Sequence, residues 1–267
     1  MSELTNIRAA PVAAARRLAK RTFRTQDRRF LAEGPQAVRE ALGRPSAVVE
    51  VFATAEVANR HPDLLKSAAA ADLPIHRVSG QVMAAIAQTV TPQGIVAVCR
   101  FLDVPLALDP APRLVALLAE VRDPGNAGTV IRVADAAGAD AVVLTRSSVD
   151  IYNPKCTRAS AGSVFHLPVT VEADVASTVA ALRTAGIQVL AADGAGPADL
   201  DSLEDAGELA RPTAWLFGNE AWGLPAELRA LADQVVRVPI HGKAESLNLA
   251  TAAAVCLYAT ARAQRRS

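Results

Sequence analysis

The sequence has 267 residues, of which 51% are hydrophobic and 21% are charged, and its formal net charge is +1. This composition excludes disorder of the whole chain, because it supplies ample apolar material for buried cores. The length exceeds the roughly 100–150 residues of a typical domain, so we expect two domains. No apolar stretch approaches the roughly 20 uncharged residues of a membrane span, and the N-terminus lacks the apolar centre of a secretion signal. These features predict a cytoplasmic protein with no membrane partner.

The first hundred residues alternate helical and extended patterns, which predicts a small α/β domain. The predicted elements are a basic helix near 11–23, strands at 47–53, 74–78 and 94–101, and helices around 63–71 and from Gly80. Pro105, Pro110 and Pro112 then interrupt regular structure, so the surrounding segment is interpreted as a linker with the boundary near residue 108. The predicted domains are therefore 1–107 and 108–267.

Beyond this boundary the sequence predicts a larger α/β domain. Strands are predicted at 113–121, 141–144, 188–191, 213–217 and 235–238, and Ala-rich helical stretches lie between them. Such alternation predicts a mostly parallel sheet with helices on both faces. Ligands of sheets of this kind bind beyond the carboxyl ends of the strands.

Basic residues are concentrated near the N-terminus. Residues 1–44 contain ten Lys or Arg against four Asp or Glu. This excess predicts a polyanionic partner, although a solvated helix face accounts for the charge alone equally well.

The three cysteines do not form a recognisable framework. Cys99, Cys156 and Cys256 are odd in number, widely separated and without C-x-x-C spacing, which argues against disulfides and a zinc site. We expect all three to be buried thiols, because free cysteine packs as a small hydrophobic residue.

The first candidate motif follows the first strand of the second domain. Asp123, Pro124 and Gly125 are predicted to form a turn, and Asn126 is predicted to cap the helix that follows. Arg132 is six positions further on, about 240° around a helix, so it would not share a face with Asn126. The glycine-containing turn is suited to anion binding, but the G-x-G-x-x-G pattern of a dinucleotide fold is absent.

Two further glycine-containing loops follow predicted strands. They precede helix starts predicted at Pro225 and Ser246, and they include Gly218, Gly223 and the segment 238–249. We expect main-chain groups from both loops to converge on one small ligand. Singly, each loop is also explained by an ordinary turn or helix cap.

Three motifs in this order resemble those of the SpoU/TrmH-type RNA 2′-O-ribose methyltransferases of the SPOUT superfamily. They are N-x-G-x-x-x-R at 126–132, G-N-E-x-x-G-L at 218–224 and V-P-I-x-G-x-x-x-S-L-N at 238–248. The resemblance covers residues 113–265. In the first domain, R-R-F-L-A-E-G at 28–34, with the strand at 94–101, resembles the family's ribosomal-protein-like (L30e-like) substrate-binding domain.

The resemblance implies a deep C-terminal trefoil knot and a homodimer whose active site takes residues from both subunits. It also implies S-adenosylmethionine as the methyl donor. The groups that it assigns to this cofactor are main-chain atoms at Leu216, Gly218, Val238, Ile240 and Leu247, with Leu249 nearby.

Methyl transfer to a ribose 2′-hydroxyl requires an aligned hydroxyl, help in losing its proton and exclusion of water, and it requires no metal. The resemblance places Arg132 beside the hydroxyl, where the family's arginine is discussed as a general base, and assigns Asn126 to orient the hydroxyl or Arg132. It pairs Glu220 with Arg132 or with its own loop, and it places Ser246 and Asn248 against substrate or cofactor. Because a guanidinium does not deprotonate near neutral pH, we expect Arg132 to stay cationic, to grip a phosphate and to stabilise the developing alkoxide.

The basic segment then becomes a predicted RNA contact. Its predicted phosphate-binding residues are Arg16, Arg17, Lys20, Arg21, Arg24, Arg28 and Arg29. The predicted function is S-adenosylmethionine-dependent methylation of a ribose 2′-hydroxyl in RNA. Ribosomal (23S) RNA is favoured because the first domain resembles that of rRNA-directed members. The alternatives are a tRNA ribose methyltransferase and a non-catalytic RNA-binding or ribosome-assembly protein on the same fold.

Overall fold

The computed structural model describes residues 3–87, 89–219 and 221–266. The chain forms two compact units, and each contains two separate stretches of sequence. The first unit comprises Met1–Leu102 with Asp150–His166, and the second comprises Asp103–Val149 with Leu167–Ser267.

The described helices and strands are numbered here in chain order. The helices are α1 (Ala10–Arg17), α2 (Arg21–Asp27), α3 (Pro35–Leu42), α4 (Ala55–Arg60), α5 (Pro62–Ala70), α6 (Gly80–Ile86), α7 (Pro124–Ala137), α8 (Pro154–Ala159), α9 (Val175–Thr184), α10 (Leu200–Asp205), α11 (Ala226–Arg229) and α12 (Leu249–Arg266). The strands are β1 (Arg29–Glu33), β2 (Val48–Ala53), β3 (Ile75–Arg77), β4 (Ile95–Arg100), β5 (Leu114–Leu118), β6 (Ala141–Thr145), β7 (Val169–Ala173), β8 (Gln188–Ala192), β9 (Ala198–Asp199), β10 (Thr213–Phe217) and β11 (Gln234–Arg237). Short 3₁₀ helices lie at Pro45–Ala47, Ser163–Phe165 and Glu208–Ala210.

Residues 150–166 pack in the first unit, whereas the predicted division at residue 107 assigned them to the second domain. Arg24 Nη2 lies 2.7 Å from Asp150 Oδ2 in a buried ion pair. The ring of Tyr152 stacks on Phe101 with centroids 3.8 Å apart. These contacts hold residues 150–166 in the first unit. The hydrophobic periodicity of the sequence does not predict them.

The sheet of the first unit has the order β1-β4-β2-β3, in which only the β2-β3 pair is parallel among the described strands.

The predicted basic helix near 11–23 is interrupted between α1 and α2. Arg24 stabilises the end of α1 at this break, because its Nη1 donates to the carbonyl oxygens of Leu18 and Ala19 at 3.0 and 2.8 Å. These bonds satisfy carbonyl groups that the end of α1 leaves unpaired. Arg24 is therefore a buried structural residue, with 3% of its surface exposed.

The second unit is built on a parallel sheet with the order β7-β6-β5-β10-β8-β11-β9. The large parallel sheet flanked by helices confirms the predicted α/β class. Every residue of β5, β6 and β10 is buried, as expected for strands covered on both faces. Strand β10 lies between β5 and β8, so the carboxyl ends of β5 and β10, which precede the first two motifs, are neighbours.

Helix α12 packs against α7 and β10 in the second unit. The indole Nε1 of Trp215 donates to Thr260 Oγ1 at 2.8 Å, and both residues are fully buried. Small residues, including Ala127, Ala134 and Ala253, are buried on α7 and α12, which allows the helix backbones to approach closely. This packing fixes the first turn of α12 near the first turn of α7.

Within the described residues, no helix combines the length and the apolar character that crossing a bilayer requires.

Candidate active site

The first site loop connects β5 to α7. Asp123 caps α7, since its Oδ1 accepts a hydrogen bond of 2.8 Å from the backbone N–H of Asn126. Pro124 is the first helical residue, where its missing N–H removes no hydrogen bond. The prediction that Asn126 caps the helix is therefore wrong, and Asn126 is the third residue of α7. Its side-chain Oδ1 accepts a 3.1 Å hydrogen bond from Asn248 Nδ2.

Arg132 lies on α7 and its side chain is exposed. Because Asn126 and Arg132 are both helical, they lie on different sides of α7, as their spacing predicts. Within the described part of the chain, the Arg132 guanidinium has no hydrogen-bond or ion-pair partner. It is thus a cation presented to an incoming molecule.

The second site loop, which follows β10, turns back on itself within five residues. The N–H of Asn219 donates to the Gly223 carbonyl at 2.9 Å, and the N–H of Gly223 donates to the Asn219 carbonyl at 3.0 Å. Gly218 must be glycine here, because a Cβ would lie 2.5 Å from the Gly223 carbonyl and 2.7 Å from Leu224 Cγ. Gly223 has φ +68°, which also favours glycine. Glu220 lies outside the described residues.

Asn219 joins the second loop to the first, a role that the sequence analysis missed. Its Nδ2 donates to the Glu120 carbonyl and its Oδ1 accepts from the N–H of Ala221, both at 2.8 Å. Only 6% of Asn219 is exposed. The sequence does contain a signal for this role, because Asn219 lies just after the fully buried strand β10. A side-chain amide that is buried there must form hydrogen bonds, and neighbouring backbone groups supply the partners.

Replacing Asn219 with alanine is expected to lower the free energy of unfolding by about 1–3 kcal/mol, because the Glu120 carbonyl and the Ala221 N–H would lose their partner. Denaturant unfolding measures this change. Asn59→Ala, at an exposed position on α4, is the control and should change the value by less than about 0.5 kcal/mol. Equal, small effects for both variants would contradict the role of Asn219.

The third site loop, residues 238–248, has no regular secondary structure and leads into α12. The predicted helix start at Ser246 is wrong, since α12 begins at Leu249 and Ser246 is exposed. Asn248 performs the capping function, because its Oδ1 accepts a 2.9 Å hydrogen bond from the N–H of Ala250. The same side chain donates to Asn126 through Nδ2. Asn248 therefore ties the third loop to the first.

A fourth loop, which follows β8, lies at the same edge of the sheet and was not predicted as part of the site. The N–H of Asp193 donates to the Val236 carbonyl at 3.0 Å. A Cβ built on Gly223 would lie 3.7 Å from Asp193 Oδ2. The turn sequence Asp-Gly-Ala-Gly at 193–196 after a strand was the available signal.

The predicted cofactor residues gather along this edge of the sheet. Leu216 is buried within β10, and Gly218 follows the end of that strand. Val238, Leu247 and Leu249 are partly buried, whereas Ile240 is 38% exposed. Hydrogen bonds between the loops therefore bring the three motifs to one place, while the seven predicted RNA-binding residues lie in the first unit.

Residues 113–258 match the model of the SpoU rRNA Methylase family, and residues 10–97 match the MRM3-like substrate binding domain. The chain belongs to the SpoU rRNA methylase family. It is 38% identical over 238 residues to the 23S rRNA (guanosine(2553)-2'-O)-methyltransferase RlmP of Bacillus subtilis, covering 88% of this chain and 89% of that protein. It is 29% identical over 225 residues to the 23S rRNA (guanosine-2'-O-)-methyltransferase RlmB of Bordetella pertussis, covering 82% and 90% of the two chains.

Solved structures of this family have the same fold. The AdoMet-bound rRNA methyltransferase from Sinorhizobium meliloti superposes with a TM-score of 0.84 at 31% identity, covering 98% of this chain and 97% of that one. The SpoU methyltransferase AviRb from Streptomyces viridochromogenes, in complex with AdoMet, gives 0.81 at 28% identity, covering 97% and 99%. The predicted family, and its dependence on S-adenosylmethionine, are thereby confirmed.

The cysteines of this SpoU family member are core residues, as predicted. Cys99, Cys156 and Cys256 are all buried. Burial raises the pKa of the Cys256 thiol to about 12 and also raises the pKa of Cys99. Neither of these two is a thiolate nucleophile near neutral pH. Across the described ranges, no group of three or more His, Cys, Asp or Glu side chains is arranged to hold a metal ion.

The SpoU site also presents an aromatic side chain at its surface. Trp222, in the second loop, is 54% exposed. The guanidinium carbon of Arg122, from the first loop, lies 5.1 Å from the centroid of the indole ring. This cation–π contact is a second link between the two loops.

Proposed function

We propose that the protein transfers a methyl group from S-adenosylmethionine to a ribose 2′-hydroxyl of RNA, with 23S ribosomal RNA as the substrate. The observation that carries the proposal is the meeting of three motif loops at the carboxyl edge of a parallel sheet, with the exposed Arg132 on the helix that follows the first loop. The names of two relatives that match over most of their length, RlmP and RlmB, support ribosomal RNA over transfer RNA.

The loops fit a cofactor that is held largely by main chain. Gly218 has no side chain where a Cβ would collide with Gly223, so the backbones of these two residues pack closely and give the second loop its shape. The third loop leaves main-chain groups outside any helix or sheet ladder over 238–248. Main-chain groups at Leu216, Gly218, Val238, Ile240 and Leu247 would hold S-adenosylmethionine, with Leu249 nearby. When bound, this cofactor supplies an electrophilic methyl group on a sulfonium centre.

The side chains around the cofactor would serve the acceptor. Arg132 stays cationic, binds the phosphate next to the target ribose and stabilises the negative charge that develops on the 2′-oxygen. Asn126 orients the hydroxyl or Arg132, and its hydrogen bond to Asn248 supports that placement. Ser246 contacts substrate or cofactor. Glu220 pairs with Arg132 or supports the second loop.

We also infer a trefoil knot and a homodimer for this chain. The strand order supports a knot, since β10 lies between β5 and β8, β11 lies beyond β8, and α12 returns to pack on α7. Exposed apolar residues of the second unit, including Val255 and Tyr258 on α12, support a subunit interface. The first domain, bounded at residue 107, would be the L30e-like substrate-binding part, which the match over 10–97 supports.

The function is tested by incubating the protein with radiolabelled S-adenosylmethionine and either 23S rRNA or tRNA. Mass spectrometry of nuclease digests then identifies the methylated nucleoside. We expect one 2′-O-methylated nucleoside from 23S rRNA. Methylation of tRNA alone would replace the proposed substrate. RNA binding without S-adenosylmethionine binding in calorimetry would identify a non-catalytic RNA-binding protein.

The basic N-terminal segment is the proposed phosphate-contacting surface. Arg16, Arg17, Lys20, Arg21 and Arg28 are exposed and Arg29 is partly buried. Arg24 is omitted from the proposed surface because its guanidinium is buried against Asp150 and two carbonyl groups.

The triple substitution Arg16→Ala, Lys20→Ala and Arg21→Ala is expected to weaken RNA binding and to reduce the slope of log K against log salt by about 2–3, because three phosphate contacts are lost. Affinity for S-adenosylmethionine should not change. Filter binding at several salt concentrations measures the slope. Lys66→Ala, an exposed cation on α5, is the control. An unchanged salt slope, or weaker cofactor binding, would contradict the assignment.

A further inference from the structure

The first compact unit contains a cavity of about 250 Å³, and all of its lining residues belong to that unit. Its floor is apolar, and its rim is polar and exposed. The floor is lined by Ala37, Met83, Ile95 and Val96, and the rim includes Gln36, Thr91 and Gln93. An apolar floor with a few polar groups is typical of a pocket that binds a small, flat ligand.

Two opposite charges line the wall of this cavity. Glu33, at the end of β1, has 6% of its side chain exposed, and Arg158 Nη1 lies 3.7 Å from its Oε1. This distance exceeds that of a direct hydrogen bond. The Arg158 Nη1 atom is buried and makes no hydrogen bond to any described residue. Because a buried donor without an acceptor is costly, a ligand atom that accepts from Arg158 would stabilise the site.

Both charges are carried by ordered elements of the first unit. Arg158 belongs to α8, which packs against β1. Gly34 follows Glu33 and has φ +91°, a backbone conformation that favours glycine. A Cβ at this position would also lie 2.3 Å from Gln93 Oε1, so the Gln93 side chain packs directly on the Gly34 backbone. The Gly34 N–H donates to the Ile95 carbonyl at 3.0 Å. The backbone that carries the carboxylate is thus fixed before a ligand arrives, as recognition sites require.

We propose that this cavity binds one unstacked guanine base of the RNA substrate, an inference that rests on the proposed function. The Watson–Crick edge of guanine presents N1–H and N2–H donors beside the O6 acceptor. The two donors would face the Glu33 carboxylate, and O6 would accept from Arg158 Nη1. Adenine, cytosine and uracil lack two adjacent donors next to an acceptor on that edge.

The surrounding chain favours a base of RNA over an unrelated metabolite. Residues 10–97, which include Glu33 and all four floor residues, match a substrate-binding domain. Proteins that read RNA sequence take bases out of the stack and bind their Watson–Crick edges against apolar surfaces. The volume has room for a single base, so the cavity would read one nucleotide of the substrate.

The experiment is a titration of the full-length ¹⁵N-labelled protein with 5′-GMP, AMP, CMP and UMP, followed by amide NMR shifts. All four share the ribose phosphate, so differences between them report on the base. We expect GMP to bind in the millimolar range and to shift the amides of Gly34, Ala37 and Ile95. The other three nucleotides should bind at least about tenfold more weakly, which corresponds to about 1.4 kcal/mol.

Glu33→Gln should weaken GMP binding by at least about tenfold, because an amide cannot accept both donors as a carboxylate does. Glu56→Gln, at an exposed glutamate of the same unit, is the matched control and should bind GMP normally. If Glu33→Gln alone does not fold, the double substitution Glu33→Gln and Arg158→Gln removes the buried carboxylate together with its partly exposed cationic neighbour and is expected to fold without binding GMP.

Equal shifts from all four nucleotides, or shifts confined to the second unit, would overturn the proposal. So would the absence of binding at about 10 mM GMP, which would identify a water-filled ion pair. The binding assay uses neither cofactor nor catalysis. GMP binding without methyl transfer would therefore disprove the proposed function alone, and methyl transfer without GMP binding would disprove this inference alone.

Discussion

Replacement of Arg132 with alanine is expected to lower kcat for RNA methylation by about 10²–10³-fold, the effect typical of removing one preorganised group that stabilises developing charge. Arg132 is exposed on α7 and has no partner among the residues that the structure describes, so its charge is not committed to holding the fold. Affinity for S-adenosylmethionine should remain within about twofold, because the proposed cofactor contacts are main-chain groups of the other loops.

Arg132→Lys separates two roles for this cation. A lysine keeps the charge but loses the planar fork that contacts a phosphate through two hydrogen bonds, so we expect most of the alanine defect to persist. Single-turnover methylation measures the chemical step. Arg211→Lys, at an exposed arginine outside the motif loops, is the control and should behave like the unaltered protein. Near-normal rates for Arg132→Lys would contradict bidentate contact.

Gly218→Ala is expected to weaken S-adenosylmethionine binding by at least about tenfold and to lower the free energy of unfolding by about 1–3 kcal/mol, the range for overpacking. The added methyl would lie 2.5 Å from the Gly223 carbonyl carbon and oxygen, so the backbone of the second loop must move. That displacement would also strain the hydrogen bond from Asn219 to Glu120.

Gly80→Ala is the control for this substitution. Gly80 is the first residue of α6 in the first unit, outside the site loops, and a Cβ there would meet no atom within 4 Å. Calorimetry with S-adenosylmethionine and denaturant unfolding measure the two expected effects. Equal cofactor affinity for the Gly218 and Gly80 variants would contradict the proposed main-chain cradle.

The local elements of the second unit could be predicted from the sequence. The apolar run that ends at Phe217 is the fully buried β10, because a strand covered on both faces carries no polar alternation. The order of the strands could not be predicted, because the insertion of β10 between β5 and β8 depends on contacts between segments far apart in sequence. The motifs identified the loops that meet at the site, but not the bonds that join them.

The errors at the helix starts have a common physical cause. Asn126 and Ser246 are both good capping residues, yet Asp123 and Asn248 perform those functions. Several residues in each loop are able to cap, and tertiary contacts decide among them. Tertiary contacts also decide the role of Arg24. The sequence shows only a basic residue within a basic segment, and this pattern does not predict that Arg24 is buried against Asp150.

The most direct test of the central claim is a crystal structure of the protein with S-adenosylmethionine. We predict that the cofactor lies among the loops that follow β5, β10 and β11, contacting main-chain atoms at Gly218 and Ile240. Its sulfur should face Arg132 of the same protomer or of its partner. Cofactor bound at another place, or Arg132 remote from the sulfur in every pairing of protomers, would contradict the account.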